Sequence, residues 1–237
     1  MPDRPDLVLT LRNTARVLLE QRSIRDHDTV VRDVVASAVR MVPAATAGGL
    51  TRTERGQVSS SHATNETVGA LDQLQTQLGE GPCIDAAENP PPDGVMLADD
   101  LDVAEGDRWP SFAPQAVKAG VRSMLSSSIL TGRDGHHSAL NLYADEPQAF
   151  DEDAQRLAGL FANQVAMLLY GADTARDLGA AVTSRDTIGQ AKGLLMERFG
   201  LTAEEAFRML VSASQDTNIK LVDVAAWTVH EAETRAR

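Results

Sequence analysis

Reactive side chains are sparse in this sequence, and their spacing limits the chemistry open to them. Cys83 follows Gly79-Glu80-Gly81-Pro82 and stands where a helix can start, a place that favours a thiolate, so it offers a redox sensor or a ligand anchor. A buried, inert thiol is the plainer reading and the preferred one. His136 and His137 sit beside Asp134 at the tip of a hairpin, and neighbours on a strand point to opposite faces instead of converging on a metal. Asp99, Asp100, Asp102, Glu105 and Asp107 crowd one short segment, but it lacks the spaced glycine and final glutamate of a calcium loop and reads as a charged loop. No Gly-rich phosphate loop, Gly-x-Ser-x-Gly elbow or His-Glu-x-x-His motif occurs. The expectation is a chain with no catalytic residues, no metal site and no resident cofactor.

Bulk properties bound the domain count and the compartment. The chain has 237 residues, enough for one medium domain and one small one. A single cysteine excludes internal disulfides and suits a reducing compartment. No apolar run approaches the roughly 20 residues that cross a bilayer, and Met1 to Leu7 does not read as a signal peptide. The expected location is the cytoplasm, without a membrane partner. A net charge of −12 argues against a protein coated in basic surface. Its distribution is uneven: from Ser184 to Arg237 seven Lys/Arg face eight Asp/Glu, a balance of −1, which leaves −11 on the remainder. Of three lysines in the chain, Lys192 and Lys220 lie in that stretch.

The elements that must position these groups follow from periodicity. Leu7–Gln21 and Thr29–Val42 carry apolar stripes at helical spacing, the first forming an N-terminal helical segment over residues 1–28. Ala47–Thr53 and Gln57–Ala63 read as a hairpin around Glu54-Arg55-Gly56. Thr67–Gln77 and a short run to Glu88 are helical, and three prolines make 89–94 a loop. Val95–Leu97, Arg122–Thr131 and Ser138–Tyr143 are strands, with a helix over Trp109–Ala119 and a turn over Gly132–Gly135. The fold class is α+β, an antiparallel sheet with flanking helices over residues 29–171.

From Asp151 to Val182 the pattern is helical without interruption, with Leu157, Phe161, Gln164 or Val165, Leu168, Ala172 or Ala175, Leu178 and Val182 along one seam. Leu157 to Leu168 can cover the sheet. Residues 172–183 have no sheet left to cover and read as a self-associating connector, with Leu178 and Val182 as its dimer contacts. Ser184 can cap a new helix to Phe199, Gly200 can end it, and Thr202-Ala203-Glu204-Glu205 is a capping box. Asn218 can cap a third helix. Ile188, Ala191, Leu195, Phe199, Ala206, Phe207, Leu210, Val211, Leu221, Val224, Ala225, Thr228 and Val229 then give one core, an all-α three-helix domain over 184–237. Trp109 and Trp227 are core or interface anchors, the latter a partner contact if exposed.

The run Ser184-Arg185-Asp186-Thr187-Ile188-Gly189-Gln190-Ala191-Lys192-Gly193-Leu194-Leu195-Met196-Glu197-Arg198-Phe199-Gly200-Leu201 resembles the ANTAR family of transcription antiterminators, as do Glu205-Ala206-Phe207, Leu210, Ser214 and Leu221 to Ala225. Gln75-Thr76-Gln77-Leu78-Gly79-Glu80-Gly81-Pro82-Cys83 and the Arg108-Trp109-Pro110 turn resemble the GAF sensor domains that actinobacteria place ahead of ANTAR. The resemblance implies binding to a pair of short RNA stem-loops in nascent transcripts, so that a terminator hairpin does not form and RNA polymerase is affected only indirectly. Physically such a domain must hold phosphates with cations and reach splayed loop bases. The candidate contacts are the cations Arg185, Lys192, Arg198, Arg208 and Lys220, the polar Gln190, Ser214 and Asn218, and the small Ala191 and Gly193 for close backbone approach. Against each stands a solvated surface charge with Asp186, Glu197 or Glu204 as helical partner, or a small residue serving helix packing.

The GAF ligand stays unknown: no Asn-Lys dipeptide of the cyclic-nucleotide signature occurs, and one cysteine does not make a chromophore site. A small molecule is expected there in preference to a metal. Two rival functions remain. Three short helices also build DNA-binding helix-turn-helix regulators, though the second and third helices lack a dense Arg/Asn/Gln face. An enzyme or enzyme subunit using the sensor pocket has no residues to point to.

Overall fold

The structure, a computed structural model, describes residues 24–54, 57–102, 108–130 and 136–235. The helix expected over Leu7–Gln21, residues 55 and 56 of the first hairpin turn, Glu105 and Asp107, and the 132–135 turn with Asp134 lie outside the described residues, as do the side chains of His136 and His137. The chain divides into two compact units between Ala172 and Asp173.

In the first unit, helix α1 (Ile24–Met41) precedes a five-stranded antiparallel sheet built from β1 (Ala47–Glu54), β2 (Gln57–Ser61), β3 (Val95–Ala98), β4 (Ser123–Leu130) and β5 (His136–Ala144). Strand order is β2-β1-β5-β4-β3, so β1 and β5, almost 90 residues apart in sequence, lie side by side with Leu50 opposite Leu140. Helices α2 (Glu66–Leu78), α3 (Pro82–Glu88) and α4 (Ala113–Lys118) fill the connections. Period-two alternation sorts the side chains of β5 between two layers. Leu140 and Leu142 join Val30, Val34, Val35 and Ala38 of α1 and Phe161, Val165 and Leu168 of a long helix α5 (Glu152–Phe199). Tyr143 joins Val68 and Leu71 of α2, Trp109, and Phe112, Ala113 and Ala116 around α4. Burying one such valine or leucine is worth about 2 kcal/mol, so the stripe on α1 alone fixes that helix to the sheet.

Two expectations change. The helix expected over Trp109–Ala119 shortens to α4, because the amides of Ser111 and Phe112 bond to the carboxylate of Glu80 and not to helix carbonyls. The break expected at Ser184 is absent: α5 is one helix of 48 residues. No proline occurs after Pro147, and the hydroxyls of Thr183 and Thr187 donate to the carbonyls of Gly179 and Thr183, four residues back, so they serve the helix interior.

The second unit holds the end of α5 with α6 (Ala203–Thr217) and α7 (Leu221–Arg235). Its core is small: Ala191, Leu195, Ala206, Leu210 and Ala225 are buried, ringed by Ile188, Leu201, Leu221, Val224 and Val229. Three alanines at the centre let the helix axes approach closely. Phe199 and Phe207, expected inside, are exposed. Ala206 and Leu210 take the inward stripe of α6, and Phe207 is turned about 100° away from Ala206.

Candidate functional site

Gly200, at φ +66, turns the chain out of α5, and the capping box starts α6. The Thr202 hydroxyl accepts from the Glu205 amide, while the Glu205 carboxylate accepts from the Thr202 amide at 2.8 Å. That backbone bond, with the Thr202 hydroxyl, holds the Glu205 carboxyl below its usual range. Asn218 does not cap the third helix as expected. It adopts φ +54 and ends α6, a left-handed conformation that asparagine tolerates, and the Lys220 carbonyl opens α7 by accepting from Asp223 and Val224. Ser214 clasps the same corner, its hydroxyl donating to the Ile219 carbonyl at 2.6 Å.

The structure sorts the candidate RNA contacts into several groups. Ala191 is 0% exposed and belongs to the core, so its side chain is closed to any partner. Ser214 is spent on the α6–α7 corner. Arg185, Arg198, Arg208, Asn218 and Lys220 are exposed, and Lys192 is half-buried. Arg185 and Lys192 lie seven residues apart, two turns of α5, and so share one stripe with about 10 Å between them along the axis. Gln190 is turned roughly 160° from Lys192. With Gly193 it lines a different concavity of about 510 Å³, shared with Leu194 and with Val229, Ala232 and Glu233 of α7. A Cβ on Gly193 would meet nothing within 4 Å, so internal packing does not require glycine there.

None of Arg185, Lys192, Arg198, Arg208 and Lys220 forms an ion pair among the described residues. Two of the cations sit over aromatic rings instead. The Lys192 ammonium lies 5.8 Å from the centroid of Phe207, and the Arg198 guanidinium 5.4 Å from that of Phe199. Both rings read as core by size alone; the signal that finds them is their phase relative to Ala206 and Ala191.

In the first unit the motif from Gln75 to Cys83 is a junction. Gln75 is fully buried, its amide donating to the Tyr143 hydroxyl and its carbonyl accepting from the Cys83 amide. Gly79 ends α2 at φ +61, and Gly81, at φ +135, leaves no room for a side chain, since a Cβ would come within 2.2 Å of Gln75 Oε1. Glu80 accepts from the Ser111 and Phe112 amides at 2.7 and 2.8 Å. Burial pushes its carboxyl up, but those amides pull it below the usual range. Asp85 accepts from Trp109 Nε1 and from Arg108, whose guanidinium stacks 4.5 Å from the Trp109 centroid. Cys83 is buried; burial first, and then the charge of Asp72, raise its thiol, so it is no redox sensor.

At the centre of this layer Asp72 accepts from Tyr143, from Asn141 Nδ2 at 3.2 Å and from Ser60 at 3.0 Å. Gly49 makes the approach possible, because a Cβ there would lie 2.4 Å from Asp72 Oδ2. Burial lifts the Asp72 carboxyl to about 6 against the pull of these three donors. Asn141 Oδ1 and the hydroxyl of Ser126, on paired positions of β5 and β4, are buried without a partner among the described residues. Of the acidic segment, Asp100 is held low by the Asp102 amide and by Arg122, which grips it with two nitrogens. It is the ion-pair partner of Arg122, the residue just before β4.

A GAF domain model matches residues 24–169 and an ANTAR domain model residues 176–228. No curated protein matches the chain. Among solved structures, Escherichia coli SdiA is 12% identical, covers 94% of this chain and 96% of its own, and has a TM-score of 0.51. SdiA in complex with octanoyl-rac-glycerol is 11% identical with a TM-score of 0.50, covering 96% of each chain. Bacteriophytochrome RpBphP3 from the photosynthetic bacterium R. palustris is 13% identical with a TM-score of 0.51, over 87% of this chain and 46% of that one. Identities this low establish a common fold and nothing finer. No described helix is long and apolar enough to cross a membrane. The sensor-like unit around Asp72, followed by a three-helix unit matching ANTAR, makes this chain a member of the GAF family and, by its domain order, a GAF–ANTAR regulator.

Proposed function

We propose that the protein is a cytoplasmic, non-enzymatic transcription antitermination regulator in which the GAF domain, over residues 29–171, controls binding of the ANTAR domain, over 184–237, to paired RNA stem-loops in nascent transcripts. The observation that carries this reading is that Arg185 and Lys192, on one stripe of α5, form no ion pair among the described residues. A surface arginine or lysine without a carboxylate neighbour is ready to exchange its water and counterions for phosphate. Arg198, Arg208, Asn218 and Lys220 would add further contacts, and Gln190 and Gly193 would serve a second side of the domain.

A homodimer is part of the proposal. Leu178 and Val182 are 67% and 55% exposed at helical spacing on residues 172–183, an apolar pair that a second copy covers. For the GAF signal we propose a small polar molecule, on the strength of the unpartnered Asn141 Oδ1 and Ser126 Oγ beneath the Asp72 network. Control of RNA binding then requires that the signal favour one of two arrangements with different RNA affinity. The deciding experiment compares the full chain, by gel shift, on paired stem-loop RNA and on duplex DNA of equal length. Retention of the RNA alone is expected; preference for the duplex would replace this reading with a DNA-binding one.

A further inference from the structure

Phe207 presents an unusual surface for so small a domain. The residue is 40% exposed although Ala206 and Leu210 of the same helix are buried, so the hydrophobic effect has not drawn it inside. Lys192, from the facing helix, holds its ammonium 5.8 Å from the ring centroid, and no carboxylate among the described residues pairs with that lysine. An ammonium over an aromatic face at an exposed site is held weakly enough for the lysine to leave when a stronger anion arrives. Arg185 stands two turns away on the same stripe, also without an ion-pair partner. Ring and cations therefore form one strip: a flat apolar face with a positive charge beside it and a second charge about 10 Å further along.

We infer that Phe207 is a stacking platform for an unpaired base of the bound RNA loop, with Lys192 moving from the ring to the adjoining phosphate as the base stacks. The inference rests on the RNA reading above and deepens it. A nucleotide supplies both things this strip asks for, a π face for the ring and an anion for the ammonium, and base stacking on an aromatic side chain tolerates any base identity. A second copy of the chain suits it poorly. Covering Phe207 with an apolar surface would bury Lys192 without an anion, and an unpaired buried charge is costly.

The test uses the full chain and an RNA selected against it from a library of paired stem-loops with randomised loops. If no RNA is selected, the RNA reading itself fails. With a binder in hand, Phe207→Leu keeps an apolar side chain but removes the π face; it should weaken binding about 5- to 100-fold without changing the slope of log affinity against log salt. Phe207→Tyr should bind within about twofold of the unchanged protein, the scale set by one retained stacking contact. Because a leucine at this place could perturb the domain, the unchanged protein is also irradiated with RNA carrying 5-iodouridine at single positions. The crosslink should map to Phe207 and arise from a loop position. Equal binding by folded Phe207→Leu, a slope reduced by one counterion in that variant, or a crosslink arising only from the stem would each overturn the inference. The middle outcome would mean that the ring does no more than hold Lys192.

Discussion

Tyr143 donates its phenolic hydrogen to the carboxylate of Asp72 inside a layer where both side chains are fully buried, with no cation facing them among the described residues. The groups around Asp72 are the hydroxyls of Tyr143 and Ser60, the amide of Asn141 and, more remotely, the thiol of Cys83. They stabilise the anion without neutralising it, so burial wins and the carboxyl titrates near 6 where an exposed aspartate titrates near 3.8.

Raising a folded-state pKa means that the native protein binds the proton more tightly than the unfolded chain does. The stability this contributes is fully present below the unfolded value of 3.8 and is lost as pH rises to about 6. Over that window it amounts to about 3 kcal/mol. Asp72→Asn cannot titrate, so the melting temperature of the unchanged protein should fall relative to the variant as pH is raised from 4 to 7. Parallel melting curves across that range would show that the carboxylate is already compensated.

Glu80 has the opposite sign. Its carboxyl is held low in the fold, so its contribution is present above its ordinary value and disappears as acid protonates it. Removing it as Glu80→Ala strands the amides of Ser111 and Phe112, a loss similar to that of a helix cap, about 1 kcal/mol. Denaturant unfolding of the first unit should show that decrease, with the Arg108–Trp109 segment losing hydrogen-exchange protection first.

On the RNA side, Lys192→Ala should weaken stem-loop binding most at low salt and reduce the salt slope by close to one counterion. Thermal stability should move by less than about 0.5–1 kcal/mol, the worth of the contact with Phe207. Leu210→Ala is the contrast, since it truncates the buried centre of the second unit and should cost about 2–5 kcal/mol by unfolding it. Unchanged RNA affinity in folded Lys192→Ala would remove the Arg185–Lys192 stripe from the interface.

Self-association is tested at Leu178 and Val182. Replacing both with lysine should leave the helix intact, because lysine is a good helix former, while placing like charges in the proposed seam. Light scattering should report a dimer for the unchanged protein and a monomer for Leu178→Lys/Val182→Lys. An unchanged protein that stays monomeric at about 100 times its RNA-binding concentration would dismiss the seam, since mass action at that excess adds about 2.7 kcal/mol to any association.

Local chemistry was legible in the sequence where the controlling contacts are local. Gly79, Gly81 and Pro82 announced a break because their backbone preferences act within a few residues, and Thr202 with Glu205 announced a helix start for the same reason. Gln75, Glu80 and Asp72 did not announce their roles, because their partners Tyr143, Phe112 and Asn141 lie 32 to 69 residues away and only the tertiary fold joins them. Ser184 misled: a serine before an apolar stripe reads as a cap, yet nothing upstream stopped the helix from entering it. Phe207 misled through its size, since a large aromatic residue in a small domain looks like core until the alanine before it is seen to hold the inward position.

Strand β2 closes one side of the sheet, and its sequence, Gln57-Val58-Ser59-Ser60-Ser61, contains a single apolar residue. An unpaired strand edge is a template for another strand, and such templating leads to fibrils when the side chains above and below the pleat are apolar. Here an added strand would find hydroxyls: Ser59 and Ser61 are exposed, and Ser60 is engaged with Asp72. It would gain backbone hydrogen bonds while burying almost no hydrocarbon. Crowded by its own copies during synthesis, the domain is thereby guarded on this side against runaway edge-to-edge growth.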